Sequence, residues 1–279
     1  MINFNGNITD NYNQLSIKNR GFRYGDALFE TMKVVQDNIL FWEDHYFRLM
    51  ASMRIVRMEI PMEFTMEYLE KQILETIMVN GLNGMPARVR LYVYRKEGGL
   101  YTPKINDVEY MIEVDSLKDQ YYTMKVFDYE VDLFKDYYVA PGLLSTLKTN
   151  NKILNVVGSI YAKENKLQNC LLLNTNKQVV EALNGNIFIV KGNELKTPPL
   201  EDGCLKGVMR KQIMDIAKEM KDITLKESSI SPFELQKVDE MFITNTISGI
   251  ISVKQYRKKT YVTSISKKLL EKLNTGILN

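Results

Sequence analysis

Histidine is almost missing from this chain: His45 is the single one among 279 residues. A histidine-rich metal site is thereby excluded, and a Ser-His-Asp triad could use only His45. Cysteine is nearly as scarce. Cys170 and Cys204 show no paired spacing, so neither a disulfide framework nor a zinc site is indicated. A dominant charge is lacking too. The net charge is +3 with 25% of residues charged, and the short basic run Arg-Lys-Lys at 257–259 reads as a solvated hairpin tip. Nucleic acid is therefore not an expected partner. No apolar run approaches a membrane span, and Met1-Ile-Asn-Phe-Asn-Gly-Asn lacks the regions of a signal peptide, so a cytoplasmic protein without a membrane partner is expected. Acid–base chemistry, if there is any, falls to Lys, Tyr, Asp, Glu or a cofactor.

What is present is enough apolar residue, 45%, for a sizeable core in one large domain or two modest ones. The first part reads as strands with two helices. Hairpins are expected around Gly6-Asn7 and between 28–35 and 38–42, turning at Gln36-Asp37, with helices near 44–56 and 65–80. Met66, Leu69, Ile73, Leu74 and Ile77 recur at helical spacing, and Asn80-Gly81 supplies a stop. Residues 87–95 alternate: Val89, Leu91 and Val93 share one face, and Arg88, Arg90, Tyr92 and Tyr94 share the other. That polar face reads either as the wall of a cavity for an acidic substrate or as a solvated sheet face.

A polar stretch at 116–120 reads as a linker, which divides the chain into a small N-terminal α/β domain, 1–118, and a larger domain, 119–279. The second part reads as strands near 124–132, 170–174, 178–181, 185–190, 240–246 and 250–256. Helices are expected at 152–168, after Gly207 and from Ser264 to about Leu273. In the 152–168 helix Ile153, Val156, Val157, Ile160 and Tyr161 form the expected buried stripe; after Gly207, Val208, Ile213, Ile216, Ala217 and Met220 point inward.

Three segments carry chemistry. Lys148 stands in Leu-Ser-Thr-Leu-Lys-Thr-Asn-Asn-Lys, just before a helix; Glu181 ends a short strand and opens Glu-Ala-Leu-Asn-Gly-Asn; and Thr197 to Arg210 runs through Gly207-Val-Met-Arg into another helix. A lysine able to form an imine, a carboxylate able to keep a ring nitrogen protonated and a glycine-led helix start able to bind phosphate together suit a pyridoxal-phosphate site. Singly, each has a plainer reading: a surface lysine, a strand-end glutamate in water, an ordinary helix start. Lys152, one turn on, competes with Lys148.

In order along the chain, these segments and three others resemble one family. Arg20-Gly-Phe-Arg-Tyr-Gly-Asp-Ala-Leu-Phe-Glu-Thr, His45-Tyr-Phe-Arg-Leu, the Lys148 and Glu181 segments, 197–210, and Asp239-Glu-Met-Phe-Ile-Thr-Asn-Thr are similar to motifs of the class IV aminotransferases. These are fold-type IV pyridoxal-phosphate enzymes that include branched-chain and D-amino-acid transaminases and 4-amino-4-deoxychorismate lyase. The resemblance implies a two-domain α+β fold and pyridoxal 5'-phosphate as cofactor. It implies a small amino or carboxylate substrate and a homodimer. It selects Lys148 over Lys152 as the catalytic lysine and makes Glu181 the partner of the pyridine nitrogen. It gives Arg48, Gly207, Val208, Met209 and Thr246 to the phosphate and matches Asn186 to a cofactor-site asparagine. His45 is implied to be a structural neighbour.

The sequence also departs from the family. Leu183 replaces a small residue, and Met209 stands where many transaminases carry threonine. For the substrate, Phe29, Arg95 and Tyr101 are the candidates, with Arg95 expected to clamp a carboxylate. Three segments resemble the lyases: Arg95-Lys-Glu-Gly-Gly-Leu-Tyr, Thr244-Asn-Thr-Ile and Gly207-Val-Met-Arg. Elimination of pyruvate to give p-aminobenzoate is therefore the expectation, with amino-acid transamination onto 2-oxoglutarate as the alternative.

Overall fold

A computed structural model describes residues 1–13, 15–124 and 128–278 and divides the chain into two compact units. The first comprises Met1–Gln120 with Lys148–Asn151, the second Tyr121–Leu147 with Lys152–Asn279.

In the first unit the order is β1 (Ile2–Phe4), β2 (Asn7–Thr9), α1 (Arg20–Tyr24), β3 (Ala27–Val35), β4 (Asn38–Ile39), α2 (Trp42–Ile55), α3 (Met66–Val79), β5 (Ala87–Arg95) and β6 (Val108–Ser116). The strands form one antiparallel sheet in the order β2-β1-β6-β5-β3-β4. The alternation of β5 has its expected consequence. Val89, Leu91 and Val93 are wholly buried and pack with Leu49, Met53, Leu69 and Ile73 of the two helices. Each such side chain contributes about 1.5–3 kcal/mol when taken out of water. Thr65 caps α3 by accepting from Tyr68 N at 3.1 Å. Trp42, expected at a strand end, instead opens α2, because Phe41 turns left-handed (φ 57°) and stops β4 after two residues.

In the second unit follow β7 (Glu130–Val139), a 3-10 turn at Leu143–Thr146, α4 (Ile153–Glu164), β8 (Asn169–Asn174), β9 (Val179–Ala182), β10 (Gly185–Lys191) and β11 (Glu194–Thr197). Then come α5 (Val208–Glu219), β12 (Thr224–Glu227), β13 (Glu240–Asn245), β14 (Gly249–Ser252), β15 (Gln255–Tyr256), β16 (Lys259–Thr260) and α6 (Ser264–Leu278). The sheet runs β12-β11-β10-β9-β8-β7-β15-β16, and β13 adds to β10 and carries β14. Of the strand expected near 124–132, residues 125–127 lie outside those described; the observed strand starts at Glu130. Arg257 and Lys258 are exposed at the tip between β15 and β16, as the basic run suggested.

The stripe of α4 is a correction. Ile153, Val156 and Ile160 are 73, 51 and 52% exposed, whereas Gly158 and Ala162 are buried. The helix lies close to the β9–β10 hairpin because residue 158 has no side chain. A Cβ there would sit 2.4 Å from Leu183 Cδ2. The inward face is thus the small one, with Val157 and Tyr161 packing beside it against Phe134, and the larger β-branched residues turn outward. No helix among the described residues is long and apolar enough to cross a membrane.

Candidate active site

Lys148 falls after the expected boundary at 118/119, yet its segment packs with the first unit. Phe29 N donates to Lys148 O at 2.9 Å, Asn150 N donates to Ala27 O at 3.0 Å, and Leu28 bridges Thr149, so 148–150 runs antiparallel beside the start of β3. Lys148 is half-buried, with Nζ 4.1 Å from the centre of the Phe29 ring. An ammonium over an aromatic face is held electrostatically.

The next residue on β3, Glu30, is 2% exposed and meets α2. Arg48 Nε donates to its Oε1 at 2.8 Å, Arg48 Nη2 donates to its Oε2, and His45 Nδ1 lies 2.7 Å from Oε2. Burial pushes the Glu30 carboxyl up, but the Arg48 charge and the His45 hydrogen bond outweigh it and hold it at about 2. Burial lowers His45 despite Glu30, so the ring is neutral near pH 7 and donates through Nδ1. His45 is the structural neighbour it was expected to be. The Nε–Nη2 edge of Arg48, assigned from sequence to a phosphate, is committed to Glu30.

Arg95 is a second correction. Its guanidinium is 6% exposed and spent on the protein itself. Nε donates to Asp26 Oδ2 (3.0 Å), Nη1 to Arg57 O (2.8 Å) and Asn106 Oδ1 (2.6 Å), and Nη2 to Val56 O (2.7 Å). It is a buried tie, and a carboxylate clamp would need donors that are already in use. Asp26 also accepts from Arg20 Nε at 2.8 Å. Arg20 in turn donates to the carbonyls of Gly98, Leu100 and Tyr101 at 3.0, 2.6 and 3.1 Å, leaving the Tyr101 ring 88% exposed on a fastened loop. Three of the four residues on the polar face of β5 are likewise paired, whereas the buried Tyr94 hydroxyl has no partner among the described residues. Arg88 donates to Asp115 at 2.6 Å, and Arg90, Tyr92 and Glu113 form a network at 3.0–3.3 Å. The acidic residues Glu113 and Asp115 of β6 stand opposite this face.

In the second unit the expected residues converge on the start of α5. Glu181 Oε2 accepts from Leu205 N at 2.9 Å, and Asn186 Nδ2 donates to Leu205 O at 2.8 Å, so two side chains grip the residue two before Gly207. Gly207 caps α5 with no side-chain capping bond, and no acid stands in the first turn. The early amides of that helix therefore present a positive end suited to an anion. A Cβ at 207 would fall 2.0 Å from Asn186 Oδ1, so only glycine fits between them. Val208 and Met209 are 3 and 1% exposed. Asn186 faces Thr244 across β10 and β13, and just past β13 comes Thr246, in a turn closed by Asn245 Oδ1 accepting from Ile247 N (3.1 Å) and Ser248 N (2.8 Å). Both cysteines are buried, and burial pushes the Cys170 and Cys204 thiols up to about 11 and about 12, which rules out a ready thiolate near neutral pH.

The donor set fits the cofactor implied by the resemblance. A half-buried amine suits its aldehyde, a carboxylate suits its ring nitrogen, and an uncapped helix start approached through glycine suits its phosphate. Glu30 was not assigned a role from sequence, although a glutamate inside the apolar run of β3 is itself a signal of a buried charge pair.

A model of the amino-transferase class IV family matches residues 27–256. A D-alanine aminotransferase of Listeria monocytogenes is 28% identical over 86% of this chain and 81% of its own length. The branched-chain aminotransferase of Thermoproteus uzoniensis superposes with a TM-score of 0.86 at 23% identity, covering 97% of this chain and 92% of its own. The 4-amino-4-deoxychorismate lyase of Pseudomonas aeruginosa does so with 0.83 at 23% identity, covering 99 and 98%. At these identities the two structures speak to the fold, which is that of the fold-type IV enzymes.

Proposed function

The chain belongs to the amino-transferase class IV family and is a pyridoxal-phosphate enzyme; from that premise we propose that it eliminates pyruvate from 4-amino-4-deoxychorismate to give p-aminobenzoate. The observation behind this choice is the turn after β13, where Asn245 closes the chain with its own side chain in a Thr-Asn-Thr run of the lyase type. Met209, buried in the first turn of α5, agrees with it.

Bound pyridoxal phosphate supplies an electron sink for the bonds at the amine-bearing carbon. Lys148 Nζ would hold the cofactor through its aldehyde and would move the proton at the amine-bearing carbon. A Glu181 carboxylate oxygen would keep the ring nitrogen protonated, while Asn186 holds the carbonyl of Leu205, the residue whose N–H Glu181 accepts. The amides that follow Gly207, at Val208 and Met209, would bind phosphate with Thr246. Phe29 and Tyr101 supply aromatic surface to the substrate, and Phe29 steadies the Lys148 amine.

We also propose a homodimer. Leu143, Leu144, Ile153, Val156 and Ile160 are all more than half exposed, and such apolar groups concentrate at association surfaces. Transamination is the second reading, and the 28% identity to a D-alanine aminotransferase favours it. Purified enzyme given aminodeoxychorismate, and separately D-alanine or leucine with 2-oxoglutarate, decides between them. Pyruvate with p-aminobenzoate supports elimination; glutamate with no p-aminobenzoate replaces it with transamination.

A further inference from the structure

The turn that carries Thr246 is fastened from behind by a residue with no part in the chemistry above. Tyr122 is 3% exposed, and its hydroxyl donates to Thr246 O at 2.7 Å. Its own backbone is pinned to α6: Tyr122 N donates to Asn274 Oδ1 at 3.1 Å, and Asn274 Nδ2 donates back to Tyr122 O at 2.7 Å. The ring lies against Gly249 (φ +69°), where a Cβ would come within 2.7 Å of it. On the other side Asn245 Oδ1 takes the N–H of Ile247 at 3.1 Å.

The peptide between Thr246 and Ile247 is therefore gripped at both polar ends, its carbonyl by Tyr122 and its N–H by Asn245. A peptide plane so held cannot swing, and its orientation limits where the Thr246 side chain and amide point. Burial pushes the Tyr122 hydroxyl well above the usual tyrosine range, so it remains a donor throughout the neutral and mildly alkaline range.

We infer that Tyr122 is a positioning residue for phosphate binding: anchored on Asn274, it fixes the Thr246–Ile247 peptide so that Thr246 meets the cofactor phosphate, which Tyr122 itself does not touch. The inference rests on the reading of Gly207 and Thr246 as phosphate-binding residues. It implies that the C-terminal helix takes part in holding the cofactor through the Asn274–Tyr122–Thr246 chain.

The test compares affinity for pyridoxal 5'-phosphate with affinity for pyridoxal, which lacks the phosphate, by absorbance titration of the apoenzyme. Tyr122→Phe keeps the ring against Gly249 and removes only the hydroxyl. It should weaken the phosphorylated form about five- to ten-fold, the scale of one neutral hydrogen bond, and leave pyridoxal affinity unchanged. Asn274→Ala, which frees the Tyr122 backbone while sparing its hydroxyl, should lose the same preference in the same direction. An unchanged ratio of the two affinities in both variants, or an equal loss of both ligands, would overturn the inference while leaving the cofactor assignment intact. Wild-type protein that binds pyridoxal as tightly as its phosphate would instead sink the phosphate reading of Gly207 and Thr246, and this inference with it.

Discussion

Glu30 and Arg95 are buried charges on neighbouring strands, and each is used up by the protein around it. Glu30 is held at about 2 against an ordinary value of 4.5, so its ionised form stabilises the fold above the ordinary carboxylate range, and that contribution fades as pH falls toward about 2. The shift corresponds to about 3 kcal/mol. Glu30→Gln is therefore expected to lower unfolding stability by about this much at pH 7, with the gap to wild type narrowing below pH 4.5, as urea unfolding at a series of pH values would record. A gap independent of pH would mean that the loss is one of packing. Arg95→Ala removes a buried guanidinium and its four part-buried hydrogen bonds and should cost stability by about 3 kcal/mol or more. Any rise in KM should then be accompanied by a lowered unfolding midpoint. A raised KM in a variant of undiminished stability would restore the carboxylate clamp. The clamp was a natural reading of the sequence, since Asp26 and Asn106 are remote from Arg95 in the chain or masked by a loop, and a guanidinium's partners are not written beside it. The partners of Lys148 and Glu181 are hidden in the same way, yet the residues themselves stand out because their motifs surround them.

At the scale of elements, periodicity was legible where one face meets a thick core and misleading where it does not. β5 has its apolar residues inward and its charges paired with β6, whereas α4 has its smallest residues inward. Gly158 was unreadable as a contact point because what it makes room for, Leu183, lies on the β9–β10 hairpin. Tyr122 was equally silent, standing just past the polar stretch at 116–120 with its partners Thr246 and Asn274 far along the chain. The start of α5 was the more legible element: the helix expected after Gly207 begins at Val208. Gly207→Ala should push a methyl into Asn186 Oδ1 and loosen the grip on Leu205. We expect cofactor affinity to fall about ten-fold or more, equivalent to about 1.4 kcal/mol, in the same absorbance titration. Unaltered affinity would show that the close approach of 207 to 186 is immaterial to binding.

For the whole molecule, the exposed face of α4 predicts association. Val156→Glu places a charge beside Ile153 and Ile160 on the exposed face of α4, and sedimentation should show the proposed dimer dissociating at concentrations where wild type stays paired. A variant that remains as paired as wild type would remove this face from the interface. The return of Lys148–Asn151 to the first unit was not legible in the sequence, because it depends on backbone pairing with β3. That return sets the residue on which everything else depends against Phe29 and next to the Glu30–Arg48 pair. Lys148, and not Lys152, is proposed to carry the cofactor. Borohydride reduction of the purified holoenzyme, followed by digestion and mass spectrometry, tests it most directly. One phosphopyridoxyl-modified peptide is expected, with the label on Lys148 and none formed in Lys148→Ala; a label on Lys152, or on no lysine at all, would overturn the assignment.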